Sequence, residues 1–178
     1  SMLGIAGIRL ELEGAEHLAA PVGKVAVFNH ASMLDAFVIA AITPYAGVAA
    51  IKREVLFFPG IGLAVLCLRF LVIDRGNGAR ARAALEREAG RIGAERLTVF
   101  LAPEGTRTRT GRLLPFKRGA FHLAVASGAP VLPIAIQGAF EAHRYGRWWA
   151  VPGVVRVSVL PPVSTSQLTA ADVPALAE

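Results

Sequence analysis

The chain has 178 residues, of which 54% are hydrophobic and 18% are charged. This composition excludes a disordered protein, and the length fits one domain, so residues 1–178 are treated as a single unit. The formal net charge is +6, and 16 of the 19 basic residues are arginine, whose planar side chain is well shaped to bind phosphate. An anionic partner is therefore expected.

The apolar composition favours membrane contact without predicting a membrane span. The longest apolar stretches, residues 36–51 and 55–68, are interrupted by proline and glycine before they reach the ~18 residues that a spanning helix needs. The first residues lack the features of a secretory signal peptide, and Ser1 before Met2 is interpreted as a cloning scar. A single cysteine, Cys67, excludes an internal disulfide and is interpreted as a packing residue.

Strand and helix patterns alternate along the chain. Strand patterns occur at residues 8–14, 24–30, 70–75, 97–102, 131–136 and 154–160. Helical patterns occur at residues 33–42, 78–93 and 117–128, with Pro44 and Gly128 as stop signals for the first and last. The alternation predicts an α/β domain with a mixed, mostly parallel central sheet covered by helices.

The first candidate site residues lie where the strand at residues 24–30 ends. Asp35 follows His30 by five residues, so a carboxylate in the first turn of the next helix would meet a histidine in the preceding loop. Such a carboxylate fixes the imidazole tautomer and leaves the other ring nitrogen free to take a proton. His30 is therefore a candidate general base. The alternative is a histidine that caps the helix, as Asn29 or Ser32 also could, beside an unrelated surface aspartate.

A candidate phosphate-binding loop follows the strand at residues 97–102. It consists of Pro103, Glu104, Gly105, Thr106 and Arg107. Glycine permits close backbone approach, and the hydroxyl and guanidinium groups offer donors to a phosphate. Further basic side chains follow at Arg109, Arg112, Lys117 and Arg118. A polar turn with solvated arginines is the alternative.

A third signal is Ile73, Asp74 and Arg75 at the end of another strand, where Arg75 could contact the same anion. Gly76 and Gly78 open the next helix, but the third glycine of a dinucleotide fingerprint is missing. The four histidines lack metal-ligand spacing, and a nucleic-acid-binding signature is also missing. Neither a metal ion nor a nucleic acid is expected.

In this order, the motifs resemble those of the glycerophospholipid acyltransferase family, specifically its 1-acylglycerol-3-phosphate acyltransferase type. The matching blocks, over nearly the whole chain, are Asn29, His30 and Asp35; Lys52, Arg53 and Glu54 with Pro59 to Gly62; Ile73, Asp74 and Arg75; Ala102 to Thr108; and Leu132, Pro133 and Ile134. Ala102, Thr108 and Leu132 depart mildly from the family pattern and leave its chemistry intact. Many members carry N-terminal membrane helices before the first block, so either such a helix was removed or this member relies on other contacts.

The resemblance implies an α/β domain that moves a fatty acyl group from a thioester of coenzyme A or acyl carrier protein to the hydroxyl of a lysophospholipid. His30 would be the general base, and Asp35 would orient it. The acceptor phosphate would be held by Glu104, Gly105, Thr106, Arg107, Arg75 and Lys117. No cofactor is expected, and 1-acylglycerol-3-phosphate is the favoured acceptor.

Membrane contact is predicted at two segments that contain aromatic residues. Phe57 and Phe58 are candidate anchors in an apolar segment that otherwise lines an acyl channel or forms ordinary core. Trp148 and Trp149 lie beside Arg144, Tyr145 and Arg147, a composition that favours a bilayer interface with anionic headgroups. An ordinary surface loop is the alternative. The expected location is the cytoplasmic face of the membrane, with peripheral or monotopic attachment.

Two alternatives stay open. The acceptor could instead be glycerol-3-phosphate, another lysolipid or a lyso-ornithine lipid, because the motifs encode the reaction and an anion rather than the whole acceptor. The second alternative is a non-catalytic module that binds lipid headgroups, although such a module has no need of a general base.

Overall fold

The computed structural model describes residues 4, 7–43, 47–57, 70–73 and 78–178. In chain order, the elements of the first half are β1 (Ile8–Glu13), α1 (Ala15–Ala19), β2 (Lys24–Phe28), α2 (Leu34–Ile42), β3 (Gly47–Lys52), a 3₁₀ helix (Arg53–Phe57) and β4 (Leu71–Ile73). The second half contains α3 (Gly78–Glu95), β5 (Thr98–Leu101), α4 (Gly119–Ser127), β6 (Val131–Gln137), α5 (Ala139–Ala142), β7 (Gly153–Val159) and α6 (Val173–Leu176).

The described strands form one seven-stranded sheet in the order β1-β7-β6-β2-β5-β3-β4. Five neighbours from β6 to β4 run parallel, whereas β7 pairs antiparallel with β6 and parallel with β1. The predicted mixed, mostly parallel sheet is therefore confirmed. Because the five parallel strands point the same way, their carboxyl ends share one edge, where ligand sites of open α/β sheets form.

The sheet is covered on both faces, which explains its nearly continuous apolar strands. Ala26 of β2 faces a core that includes Val38 and Ile39 of α2. Its neighbours Val25 and Val27 face the opposite core, which includes residues of α3 and α4. Alternate residues of one strand thus serve two separate cores.

The structure differs from the sequence-based prediction in the first half of the chain. The apolar stretch at residues 36–51 is divided between α2 and β3, and Val48 of β3 is buried in the sheet core. Within the described part of this stretch, the outer face of α2 is free for other contacts, and Phe37 is exposed there. β3 was missed because its sequence, GVAAIK, continues the apolar pattern of the helix before it.

Lys24, at the start of β2, is a charged residue buried in the fold. Its side chain is 1% exposed, and its Nζ donates hydrogen bonds of 2.8, 2.9 and 2.8 Å to the carbonyls of His17, Leu18 and Ala20. These carbonyls lie at the end of α1, where helical partners run out and a cation is favoured. Burial lowers the pKa of Lys24 from its usual value of 10.5. Lys24 therefore fixes α1 to the sheet.

In the part of the chain that the structure describes, no helix has the length and hydropathy needed to cross a membrane.

Candidate active site

The candidate site lies at the carboxyl edge of the sheet, just past the end of β2. Asn29 extends β2 toward β6: its side-chain amide donates to the Ile136 carbonyl at 2.9 Å, and its Oδ1 accepts the Ile136 N–H at 2.7 Å. The amide of Asn29 thus replaces a main-chain partner for β6. Asn29 fixes the position from which the next residue, His30, projects, and it is not the cap of α2.

His30 and Asp35 form the hydrogen bond that their spacing predicts. Nδ1 of His30 lies 2.8 Å from Oδ2 of Asp35, and the Asp35 side chain is fully buried. The same oxygen accepts the main-chain N–H groups of Ala31 and Ser32 at 2.7 and 2.9 Å. These two bonds close the loop before α2, so the loop holds the carboxylate under the imidazole.

This arrangement sets the proton positions of the pair. A carboxylate can only accept, so the hydrogen between His30 and Asp35 is on Nδ1, and Nε2 carries the free lone pair. Among the described residues, Nε2 has no hydrogen-bond partner, and the His30 side chain is 23% exposed. Nε2 is therefore available to a substrate hydroxyl. The other oxygen of Asp35, Oδ1, is buried without a hydrogen-bond partner in the described part of the chain.

The loop after β5 holds the main chain of His30 on both sides. Oε1 of Glu104 accepts the His30 N–H at 2.6 Å, and the Thr108 N–H donates to the His30 carbonyl at 2.9 Å. Oε2 of Glu104 accepts the Leu114 N–H at 2.9 Å. The buried carboxylate of Glu104 therefore serves two main-chain N–H donors, one of which belongs to His30.

The remaining residues of this loop carry the positive charges. Gly105 has a φ of +72°, and a Cβ built there would lie 2.9 Å from Nζ of Lys117, so the ammonium group lies against the glycine. Thr106 is exposed, and Arg107 is half-buried. The predicted phosphate loop therefore places the glycine next to the ammonium group of Lys117.

The segment between β6 and β7 contributes aromatic rings that pack against the loop after β5. The guanidinium carbons of Arg107 and Arg109 lie 5.3 and 5.1 Å from the centre of the Tyr145 ring. A Cβ at Gly111 would lie 2.9 Å from the Phe140 ring, so the two segments also pack there. Sequence analysis placed Tyr145 in a segment predicted to contact a membrane and missed its contact with these arginines, because a contact between residues nearly forty positions apart leaves no local pattern.

An open cavity of about 330 Å³ adjoins His30. Its lining is mostly apolar and includes residues of β6 and of the loop before α4: Pro133, Ile134, Ala135, Ile136, Leu113 and Phe116. Polar lining residues are Asn29, His30, Glu104, Thr108, Arg112 and Gln137. The cavity thus joins an apolar groove to the histidine.

The predicted membrane residues are exposed where they can be described. Trp148 is 95% exposed, Trp149 is 64% exposed and Phe57 is 75% exposed. Phe58 and the predicted phosphate residue Arg75 lie outside the described residues. Among the described residues, no group of three or more histidine, cysteine, aspartate or glutamate side chains is arranged to hold a metal ion.

Comparisons with known proteins agree with the motifs. A family model described as Acyltransferase matches residues 9–137. The mouse protein named 1-acyl-sn-glycerol-3-phosphate acyltransferase alpha is 40% identical over 173 residues, which are 97% of this chain and 61% of the mouse protein. The protein named 1-acyl-sn-glycerol-3-phosphate acyltransferase from Limnanthes douglasii is 36% identical over 170 residues, covering 94% of this chain and 59% of the plant protein.

A solved structure shares the fold. The crystal structure titled 1-acyl-sn-glycerophosphate (LPA) acyltransferase, PlsC, from Thermotoga maritima superposes with a TM-score of 0.82 at 26% identity, covering 98% of this chain and 71% of that chain. This chain spans about three fifths of the length of the two relatives above. The matched family model covers well over half of the chain and includes His30, Asp35 and the loop after β5. The chain therefore belongs to the acyltransferase family.

Proposed function

We propose that this chain transfers a fatty acyl group from a thioester of coenzyme A or acyl carrier protein to the free hydroxyl of a lysophospholipid. The preferred acceptor is 1-acylglycerol-3-phosphate, and the product is then phosphatidic acid. The observation that carries the proposal is the 2.8 Å contact between His30 Nδ1 and the fully buried Asp35, which leaves Nε2 without a hydrogen-bond partner among the described residues, at a histidine that lines a mostly apolar cavity. The names of the relatives support the acceptor.

In the proposed reaction, Nε2 of His30 takes the proton of the acceptor hydroxyl while the hydroxyl oxygen attacks the thioester carbonyl. Asp35 stabilises the resulting imidazolium. The tetrahedral intermediate collapses by breaking the carbon–sulfur bond, and the leaving thiolate recovers the proton from Nε2. General base catalysis of this kind typically contributes ~10²–10⁴ in rate. The acceptor oxygen attacks directly, so the protein need not supply a nucleophile.

The basic residues beside His30 would place the acceptor. Arg107, Lys117 and the Gly105–Thr106 backbone would contact its phosphate, with Arg75 as a further predicted ligand. Each charge-assisted hydrogen bond of this kind contributes about 1.5–3 kcal/mol. Glu104 supports the same step indirectly because it holds the His30 main chain. A bound phosphate would bring the hydroxyl next to the histidine and remove much of the entropic barrier.

The apolar cavity would receive an acyl chain. It opens at His30 and continues along β6, where the thioester carbonyl or the acceptor glycerol could meet the base. Exposed Trp148 and Trp149, with the neighbouring Arg144 and Arg147, would rest on an anionic membrane surface, and the exposed Phe57 would be a further anchor. We therefore place the protein on the cytoplasmic face of the membrane, attached peripherally or monotopically and working without a cofactor.

Thiol release from long-chain acyl-coenzyme A, and separately from acyl carrier protein, tests the reaction. We expect release that depends on lysophosphatidic acid and disappears in His30→Ala. Arg107→Ala should chiefly raise the acceptor KM. If wild-type protein binds lysophosphatidic acid but releases thiol from neither donor, the non-catalytic lipid-headgroup module becomes the better reading. Release with glycerol-3-phosphate or a lyso-ornithine lipid instead would redefine the acceptor.

Membrane attachment needs its own test. We expect the double variant Trp148→Ala and Trp149→Ala to lose flotation with anionic liposomes while its circular dichroism stays unchanged. Unchanged flotation would refute the role of these tryptophans.

A further inference from the structure

We propose that Tyr145 is a positioning residue that assembles Arg107 and Arg109 into one clamp for a phosphate monoester. This inference rests on the proposed function, because the clamp would hold the acceptor beside His30. It adds a residue that none of the sequence motifs contains. Tyr145 contacts the acceptor only through the two arginines.

The first support is geometric. Both guanidinium carbons lie close to the same ring, at 5.3 Å for Arg107 and 5.1 Å for Arg109. Cations at such distances are attracted to the electron-rich face of an aromatic ring. Because one ring attracts both groups, it keeps two positive charges near each other in spite of their repulsion.

The second support is the absence of a competing counter-charge. Among the described residues, no carboxylate forms an ion pair with Arg107 or Arg109. The nearest acidic side chain along the chain, Glu104, is buried and spends both oxygens on main-chain N–H groups. Two arginines without an acidic partner form a site for an external anion, and guanidinium groups bind phosphate oxygens in pairs.

The third support is the set of hydrogen bonds that the main chain makes around Tyr145. Tyr145 lies in a turn in which the Arg147 N–H donates to the Arg144 carbonyl at 3.2 Å. The chain enters this turn through His143, whose carbonyl accepts the Ser32 hydroxyl at 2.9 Å. Ser32 in turn lies in the loop between His30 and α2. The main chain two residues before Tyr145 is therefore joined to the loop that contains His30.

The position of Arg107 links the clamp to catalysis. Thr108, the next residue, donates its N–H to the His30 carbonyl at 2.9 Å. A displaced Arg107 would therefore misplace the acceptor while leaving the His30–Asp35 pair intact. The expected signature is a higher acceptor KM with little change in kcat.

The test compares Tyr145→Leu with Tyr145→Phe, which keeps the aromatic face. We expect Tyr145→Leu to raise the KM for lysophosphatidic acid about 5- to 30-fold, as the loss of two exposed cation–π contacts would. Tyr145→Phe should stay within about twofold of wild type. In the Arg107→Gln/Arg109→Gln background, Tyr145→Leu should have no further effect, because the arginines it positions are gone. Arg156→Gln is the control for the loss of one positive charge, because Arg156 is paired with Glu11 on β1.

A binding measurement separates this proposal from the reaction itself. Calorimetry with short-chain lysophosphatidic acid and no acyl donor should show the same 5- to 30-fold weakening in Tyr145→Leu. Wild-type binding without acyl transfer would refute the proposed reaction and leave the clamp intact. Equal binding by wild type and Tyr145→Leu, or no binding by wild type, would overturn the clamp. So would equal losses for the phosphate ligand and for a monoacylglycerol without phosphate.

Discussion

The carboxylate of Glu104 accepts the main-chain N–H of His30 at 2.6 Å, although 74 residues separate them. Its second oxygen accepts the Leu114 N–H, so one buried side chain joins the base to the loop that leads into α4. His30 is thus held at its side chain by Asp35 and at its backbone by Glu104 and Thr108. Two of these three supports are carboxylates buried from solvent, and the third is the main-chain N–H of Thr108.

Glu104→Gln tests this support. Glutamine offers one acceptor oxygen and one amide group, so one of the two N–H donors would face another donor. We expect the free energy of unfolding to fall by about 1–3 kcal/mol and kcat to fall more than the acceptor KM rises. Urea unfolding and steady-state kinetics measure these effects. Glu141→Gln, an exposed carboxylate on α5, should change neither; a pure KM effect in Glu104→Gln would instead indicate direct phosphate contact.

Asp35→Asn tests the orientation and charge of the catalytic pair. The amide oxygen can still accept N–H groups, but it cannot stabilise an imidazolium. We expect kcat to fall about 10²–10⁴-fold with the acceptor KM nearly unchanged. The double variant His30→Ala/Asp35→Asn should be no slower than His30→Ala, because the two residues act as one unit. Additive losses would show that Asp35 has a separate task.

The parts of this site that could be predicted from sequence are the local ones. His30 and Asp35 lie five residues apart, and the strand and helix patterns around them set their separation. Asn29 could be recognised as part of the motif, but its bonds to Ile136 span 107 positions and depend on which strand becomes the neighbour of β2. Its role at β6, rather than at the start of α2, therefore required the fold.

The burial of charged side chains also depends on how the chain folds. Glu104 and Lys24 have the polar side chains of surface residues, yet they are 3% and 1% exposed. Each is buried because backbone groups from other segments satisfy it: N–H groups for the carboxylate and carbonyl groups for the ammonium. A sequence shows the charged side chain but not the unpaired backbone groups that will surround it.

Lys24→Met tests the largest of these buried polar contacts. The variant leaves three carbonyls at the end of α1 without their donor, and we expect a loss of about 1.5–3 kcal/mol in the free energy of unfolding. Urea unfolding at neutral pH measures it. Arg87→Met, on the exposed face of α3, is the control and should stay within about 0.5 kcal/mol of wild type. An unchanged free energy of unfolding in Lys24→Met would show that water replaces the ammonium group as the donor to these carbonyls.

The same lysine predicts a pH dependence. Burial lowers the pKa of Lys24 in the folded protein below its usual value of 10.5. At any pH between the lowered pKa and 10.5, the unfolded chain therefore binds more protons than the folded chain. The free energy of unfolding contributed by this group therefore rises with pH through that window. We expect the stability difference between wild type and Lys24→Met to widen as the pH rises toward 10.5. Parallel stability curves for the two proteins would contradict the lowered pKa.

Ala135→Leu tests whether the cavity beside His30 receives an acyl chain. Ala135 lies in its wall on β6, so a larger side chain shortens the apolar space without touching the His30–Asp35 pair. We expect kcat/KM for long chains to fall about tenfold relative to short chains, since each methylene group that no longer fits forfeits ~0.8 kcal/mol. Ala135→Ser, which adds little volume, should keep the wild-type preference. Varying the chain of the acyl donor and that of the lysophospholipid separately identifies which one enters the cavity, and an unchanged preference for both would exclude the cavity as an acyl site.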